Sequence, residues 1–82
     1  MVEVYKTNIR TQAQAQEISH CLGKLFDSYR INFDLEDCDR IMRIRSSYGA
    51  IDNERICRIV LALGFEARVL SDDIAVPYAV EP

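Results

Sequence analysis

The sequence predicts an α+β fold in which two helices cover one face of a four-stranded antiparallel sheet. Apolar residues repeat with the period of a helix in two segments, residues 15–29 and 56–63. Before, between and after these segments lie runs that are rich in β-branched and aromatic residues or that alternate with polar ones, as strands do. The resulting order is β-α-β-β-α-β. With right-handed crossovers this order gives the strand arrangement 4-1-3-2 of the ferredoxin-like sandwich.

A short loop joins the first strand to the first helix. Residues 2–8 favour a strand in which Val2 and Val4 share one face and Tyr5 lies on the other. Thr11 and Gln14 then fit a capping box, in which each side chain accepts a hydrogen bond from the backbone of the other residue. The following helix is predicted to run for about five turns, on an apolar stripe formed by Ala15, Ile18, Leu22, Leu25, Phe26 and Tyr29.

The second and third strands are predicted to form a hairpin. Residues 31–35 alternate apolar and polar side chains, and residues 41–46 follow after the polar turn EDCDR. We expect Leu35 to lie opposite Met42, Phe33 opposite Ile44 and Asp34 opposite Arg43, since apolar then meets apolar and acid meets base. A register that is slipped by one residue opposes Phe33 to Arg43 and is rejected.

The second helix is predicted over residues 54–63, with Asp52 or Asn53 as its N-cap and Gly64 at a left-handed C-terminal position. Residues 65–70 are predicted to form the fourth strand. Pro77 keeps the last segment out of a central strand, so we predict one domain over residues 1–72 and a C-terminal extension over residues 73–82. Strands 2 and 4 are edges, which predicts a monomer or a weak homodimer through a sheet edge.

Composition excludes several classes of protein. The net charge is −3, which argues against a nucleic-acid partner. No apolar run reaches the roughly 20 residues that span a bilayer, and the first residues are too polar for a signal peptide, so a cytoplasmic location without a membrane partner is expected. The three cysteines form no C-x-x-C pair, and Cys21 and Cys57 fit small buried hydrophobes in the two helices.

Catalytic machinery is not visible in the sequence. No Ser-His-Asp or Cys-His arrangement and no glycine-rich phosphate loop occurs at a usable spacing. The sole histidine, His20, lies about two turns along the helix from Thr11. We therefore expect a protein that is not an enzyme and needs no cofactor.

Residues 2–70 resemble the heavy-metal-associated (HMA) domain family of small copper chaperones and metal-pump modules. The similarity rests on TNI before the first helix, on the hairpin INFDLEDCDRIMRI and on the ending IVLALGFEARVL. The resemblance implies a ferredoxin-like fold and a soft metal held by M-x-C-x-x-C in the first loop. Here Ile9 falls at the methionine position, and Thr11 and Gln14 fall at the two cysteine positions. Phe65 matches the aromatic residue that the family places near its metal.

The predicted topology places the first loop, the hairpin turn and the loop after the second helix at one end of the fold. Thr11, Gln14, Cys38 and Phe65 are therefore the candidate residues of a ligand-binding or partner-binding end. Three hypotheses follow for this end. The first is a binding or interaction module that has lost the family's metal site, with an unknown protein or small-molecule partner. The second is a metal carrier that uses a relocated or intermolecular site around Cys38, and the third is a small-molecule or partner-sensing regulatory domain.

Overall fold

The computed structural model describes residues 1–47 and 49–70. Its elements are β1 (Val2–Thr7), α1 (Gln12–Leu25), β2 (Tyr29–Asp34), β3 (Ile41–Ser46), α2 (Asn53–Ala62) and β4 (Ala67–Val69). The strands form one antiparallel sheet in the order β2-β3-β1-β4. This is the predicted arrangement, so the ferredoxin-like fold class is confirmed. The predicted domain boundary at residue 72, Pro77 and the extension over residues 73–82 lie outside the described residues.

Both helices pack on the same face of the sheet. Tyr5 of β1 lies opposite Met42 of β3, and both side chains are completely buried. They form a single core with Ile9 of the first loop, Ile44 of β3 and Ile51 before α2. The apolar stripes of the two helices complete this core with Ala15, Ile18, Leu22, Ile56 and Val60. The opposite face of the sheet, which points away from the helices, is called the outer face below.

The first helix is shorter than the apolar spacing predicts. It ends at Leu25, where the backbone N–H of Phe26 donates to Leu22 and Phe26 itself is extended. Tyr29 already belongs to β2, and its ring stacks on that of Phe26 with 4.6 Å between centroids. These aromatic residues fall at helical spacing in the sequence although a turn at residues 27–28 separates them. The prediction of about five turns is therefore wrong by roughly one turn.

The predicted hairpin register is wrong by two residues. Phe33 lies opposite Met42, Asn32 opposite Arg43 and Asp34 opposite Ile41. A shift of two residues leaves every side chain on its predicted face, so the hydrophobic pattern does not distinguish the two registers. The turn over residues 35–40 selects the observed one. Its Arg40 adopts a left-handed conformation (φ 51°) and donates its backbone N–H to the Asp37 carbonyl at 2.9 Å.

The predicted helix caps are confirmed. Thr11 and Gln14 form the capping box of α1, and the side chain of Asp52 accepts the backbone N–H of Arg55 at the start of α2. Gly64 follows α2 with a φ of +97°, which glycine adopts without strain. Within the described part of the chain, neither helix is long and apolar enough to cross a bilayer.

Candidate functional site

The three connections that the topology predicts at one end are joined there by hydrogen bonds. The backbone N–H of Thr7 donates to the carbonyls of Asp39 (3.1 Å) and Arg40 (3.2 Å), and its hydroxyl donates to the Arg40 carbonyl. The side-chain oxygen of Asn8 accepts the backbone N–H of Glu66 at 2.9 Å. The end of β1 therefore holds both the hairpin turn and the segment that leads into β4.

Thr11 and Gln14 use their side-chain oxygens for capping. The Thr11 hydroxyl accepts the backbone N–H of Gln14 at 3.1 Å. The Gln14 side-chain oxygen accepts the backbone N–H groups of Arg10 at 2.8 Å and Thr11 at 3.3 Å. Ile9, which precedes them, is completely buried in the core. The first loop is thus organised around the N-terminus of α1 and around an apolar anchor.

Phe65 is half-buried and packs against the core. Its backbone N–H donates to the carbonyl of Val60 at 3.1 Å, which completes the C-terminal turn of α2. The contacts of Phe65 are therefore those of a structural residue at the helix end. The three connections contact one another through other residues, namely Thr7, Asn8, Asp39, Arg40 and Glu66. Among the residues that the structure describes, no hydrogen bond or ion pair links the predicted site side chains of different connections, which are those of Thr11, Gln14, Cys38 and Phe65.

Cys38 is exposed at the tip of the hairpin turn. One ligand atom from each of Asp37, Cys38 and Asp39 lies within 4.8 Å of the others. Two other contacts already occupy this group. The Asp37 carboxylate accepts the backbone N–H of Asp39 at 2.8 Å, and the Asp39 carboxylate lies 3.5 Å from the Lys6 ammonium. The turn geometry and the ion pair thus account for both carboxylates without a metal.

The two helical cysteines are half-buried. Cys57 packs against the core, and burial raises the pKa of its thiol. A higher pKa reduces the thiolate fraction at neutral pH, and the thiolate is the nucleophilic form. His20 is exposed on α1. The environment of Cys57 is therefore that of a packing residue.

An open cleft of about 490 Å³ lies between β4 and α2. The residues that line it combine three cations with a thiol, polar groups and one carboxylate: Lys6, Thr7, Asn8, Cys57, Arg58, Leu61, Glu66, Ala67 and Arg68. Arg58 donates to Glu54 at 3.0 Å, and Lys6 is paired with Asp39. The volume of the cleft lies within the range of small-molecule sites, and the excess of cations in its lining suits a small anion.

The sequence patterns do not predict this cleft. It starts at the predicted end of the fold, at Asn8 and Glu66, but its remaining lining comes from α2 and β4. The sequence offers one signal, because Leu61 falls outside the predicted apolar stripe of the second helix. In the structure Leu61 is 63% exposed and lines the cleft. The packing of α2 against β4 that creates the cleft is not encoded in any local pattern.

No family model matches the chain. No curated protein and no solved structure matches it significantly.

Proposed function

We propose that this chain is a small, non-enzymatic interaction module with the ferredoxin-like framework of an HMA domain and without the metal-binding pair of that family. One observation carries the proposal. At the two positions where the sequence resemblance places the metal thiolates, Thr11 and Gln14 are engaged in reciprocal capping of α1. The position of the family's methionine is taken by Ile9, which is buried in the core.

The chemistry of the first loop supports this proposal. Soft metals such as Cu(I) select thiolate and thioether ligands, and the loop offers a hydroxyl and an amide. The oxygens of both groups accept backbone N–H groups that the helix leaves unpaired. A metal at this position would displace these hydrogen bonds and gain only weak ligands. The loop therefore serves the helix, and the remaining surface of the module is available for a partner.

Metal titration tests the proposal directly. The full chain is titrated with Cu(I) and separately with Zn²⁺, each in competition with a chelator of moderate affinity. We expect the chelator to retain both metals. Stoichiometric binding to the wild-type chain that disappears in Cys38→Ser would contradict the proposal and would favour a relocated site. Cys21→Ser is the matched control, because this cysteine lies on α1 and away from the turn.

The competing hypothesis of a metal carrier rests on the close approach of Asp37, Cys38 and Asp39. Carboxylates suit hard cations, and one exposed thiolate is a poor site for Cu(I) unless a second molecule supplies another. Size-exclusion chromatography with and without one equivalent of metal separates the two cases. A dimer that forms only with metal, and that Cys38→Ser abolishes, would favour this hypothesis.

The hypothesis of a small-molecule sensor is favoured by the cleft between β4 and α2. Arg68 lies in its lining and has no ion-pair or hydrogen-bond partner among residues 1–47 and 49–70. A thermal-shift screen with small carboxylates and phosphates tests it. A rise in melting temperature that is lost in Arg68→Gln, but kept in Arg10→Gln outside the cleft, would favour a sensor.

A further inference from the structure

The outer face of the sheet has an uneven distribution of charge. Cross-strand pairing places five basic side chains on this face of the four strands and one acidic side chain, that of Asp34. The basic residues are Lys6, Arg30, Arg43, Arg45 and Arg68. The chain as a whole has a net charge of −3. Positive charge is therefore concentrated on this face, and the excess of negative charge lies elsewhere on the protein.

Like charges lie directly opposite each other at two places on the outer face. Arg30 pairs with Arg45 across β2 and β3, and Lys6 pairs with Arg68 across β1 and β4. Directly opposed like charges destabilise a sheet, so the folded chain alone gains nothing from this arrangement. Asp39 offsets the second pair, because its carboxylate lies 3.5 Å from the Lys6 ammonium.

The first pair has no such compensation. Arg30, Arg43 and Arg45 are all exposed, and we call them the arginine triad. In the part of the chain that the structure describes, no carboxylate forms an ion pair with the triad, and none of its guanidinium groups donates a hydrogen bond. The opposed arginines Arg30 and Arg45 are unfavourable for the sheet, and no contact in the described residues compensates for them. Such local costs are common where a surface binds a partner.

Apolar side chains lie beside the triad. Val2 is opposite Arg45, and Val4 is opposite Arg43 on the neighbouring strand. Val2 is 49% exposed and Val4 is half-buried. Neighbouring strands are about 4.8 Å apart, so an extended segment laid over β3 and β1 would meet cations and valines side by side. The surface thus matches a segment that carries both acidic and apolar side chains.

We propose that the arginine triad, together with Val2 and Val4, is a docking surface for an acidic segment of a partner protein. Carboxylates of that segment pair with the guanidinium groups, which hold carboxylates bidentately. Its apolar side chains pack on the two valines. A single-stranded nucleic acid fits less well, because the outer face of the described strands carries no aromatic side chain on which a base could stack.

This inference rests on the proposed function, since it names the surface by which the interaction module binds. The proposed function and the docking surface are contradicted by different experiments. Tight Cu(I) binding would overturn the proposed function, whereas failure of the peptide experiment below overturns only the docking surface.

Fluorescence anisotropy with labelled peptides tests the surface on the full chain. The probe is a short synthetic peptide of alternating glutamate and valine, with a lysine–valine peptide of the same length as its control. We expect the acidic peptide alone to bind, more weakly as salt rises from about 0.05 to 0.3 M. Arg43→Glu combined with Arg45→Glu should weaken binding at least about tenfold. The neutral pair Arg43→Gln with Arg45→Gln should weaken it less, and circular dichroism checks the fold of each variant.

Arg58→Glu is the control for charge, because Arg58 lies on α2 and away from the outer face. Compared with the single variant Arg43→Glu, it makes the same change in net charge and should leave the affinity within about twofold. An equal loss in both variants would overturn the proposal in favour of binding in the cleft or of a general effect of charge. The absence of acidic-peptide binding would also overturn it.

Three other outcomes identify a different occupant and so overturn the proposal. One is tighter binding of a single-stranded oligonucleotide than of the peptide, lost in the same arginine variants. Another is self-association of the wild-type chain that competes with the peptide. The third is a marked gain in peptide affinity when Asp72, Asp73 and Glu81 are replaced by their amides. Such a gain would mean that acidic residues of the chain itself compete with the peptide for the arginine triad.

Discussion

Tyr5 is a buried polar residue that links the sheet to the second helix. Its side chain is completely buried, and its hydroxyl donates to the side-chain oxygen of Asn53 in the first turn of α2. Burial is the main reason that the pKa of the Tyr5 phenol lies well above its ordinary value, and the nearby Cys57 and Glu3 raise it further. The folded protein therefore stabilises the neutral form of the Tyr5 phenol.

The raised pKa of Tyr5 predicts a loss of stability in alkali. Above the ordinary pKa of tyrosine, 10.0, the unfolded chain releases this proton while the folded chain keeps it. The contribution of Tyr5 to the free energy of unfolding is thus fully present below pH 10. It falls as the pH rises toward the folded-state pKa, by at most about 1.4 kcal/mol per pH unit. Urea unfolding of wild type and of Tyr5→Phe at pH 8 and at higher pH measures the difference.

Tyr5→Phe should be less stable than wild type at pH 8 by about 1 kcal/mol, because Asn53 loses its donor. Its further loss in alkali should be smaller than that of wild type. Equal pH dependence in the two proteins would mean that other groups cause the alkaline effect.

The Thr11 side chain contributes to stability as the N-cap of α1. Thr11→Ala removes the oxygen that accepts the backbone N–H of Gln14, and should lower the free energy of unfolding by about 1 kcal/mol. For a domain of this size the melting temperature should fall by roughly 4–8 °C. Thr11→Ser keeps the oxygen and should remain close to wild type in the same thermal melts. A loss in the serine variant as large as that in the alanine variant would assign the effect to the lost methyl group.

At the scale of the element, the β2–β3 hairpin shows how a turn overrides side-chain pairing. The predicted register joins Asp34 to Arg43, whereas the observed one leaves Arg43 opposite Asn32 and joins Arg30 to Arg45. The turn is anchored from outside the hairpin, because Thr7 of β1 binds the carbonyls of Asp39 and Arg40. These contacts outweigh the single exposed acid–base pair that the other register would form, since such pairs contribute only about 0.2–1 kcal/mol.

Arg30→Glu tests the observed register. It places an acid opposite Arg45, so relief of the repulsion and the new attraction should raise the free energy of unfolding by about 0.5–1 kcal/mol. The gain should largely disappear in an Arg45→Ala background and should shrink at high salt. In the predicted register, position 30 would lie opposite Ser47 and only diagonal to Arg45, so the coupling between the two residues in this double-mutant cycle would be much smaller.

The same substitution separates stability from binding. Arg30→Glu removes a member of the arginine triad, so it should weaken binding of the acidic peptide while it stabilises the chain. Functional sites commonly trade stability for binding, so one substitution there is expected to raise the free energy of unfolding and to lower the affinity for the partner.

At the scale of the whole molecule, the sheet separates the protein into surfaces with different chemistry. One face of the sheet holds the apolar core under both helices, and the outer face carries the arginine triad. The cleft between β4 and α2 lies at one edge of the sheet, and the first loop and the hairpin turn lie at one end. The arginine triad, the cleft and the group of Asp37, Cys38 and Asp39 contain different residues, although Lys6 of the cleft is paired with Asp39. Variants at Arg45, Arg68 and Cys38 therefore test the three surfaces separately.

Installing the HMA family's thiolate pair tests whether the first loop has the geometry of that family's metal loop. Thr11→Cys with Gln14→Cys creates a C-x-x-C pair at the N-terminus of α1, where the helix dipole favours thiolates. We expect this variant to compete with the chelator for Cu(I) and wild type to leave the metal with the chelator. The serine pair Thr11→Ser with Gln14→Ser controls for loss of the capping box. A folded double-cysteine variant that binds no better than wild type would contradict the alignment of residues 9–14 with the family's metal loop.

The order of the elements, the fold class and the helix caps can all be predicted from the sequence. These follow from local causes, because hydrophobic periodicity selects helix or strand and a capping side chain acts within a few residues. The same local information places Thr11 and Gln14 in the first loop and explains their side chains. The length of α1 was the exception, because Phe26 and Tyr29 fit a helix by spacing and stack on each other instead across a turn.

The hairpin register, the cleft and the position of Arg30 opposite Arg45 depend instead on contacts between residues far apart in the chain. Two registers that differ by two residues bury the same side chains, so the contacts of Thr7 with the turn had to choose between them. That choice places Arg30 opposite Arg45. The cleft likewise depends on how α2 packs against β4, from residues far apart in the chain. Long-range packing brings such residues together, and no pattern within a single segment specifies it.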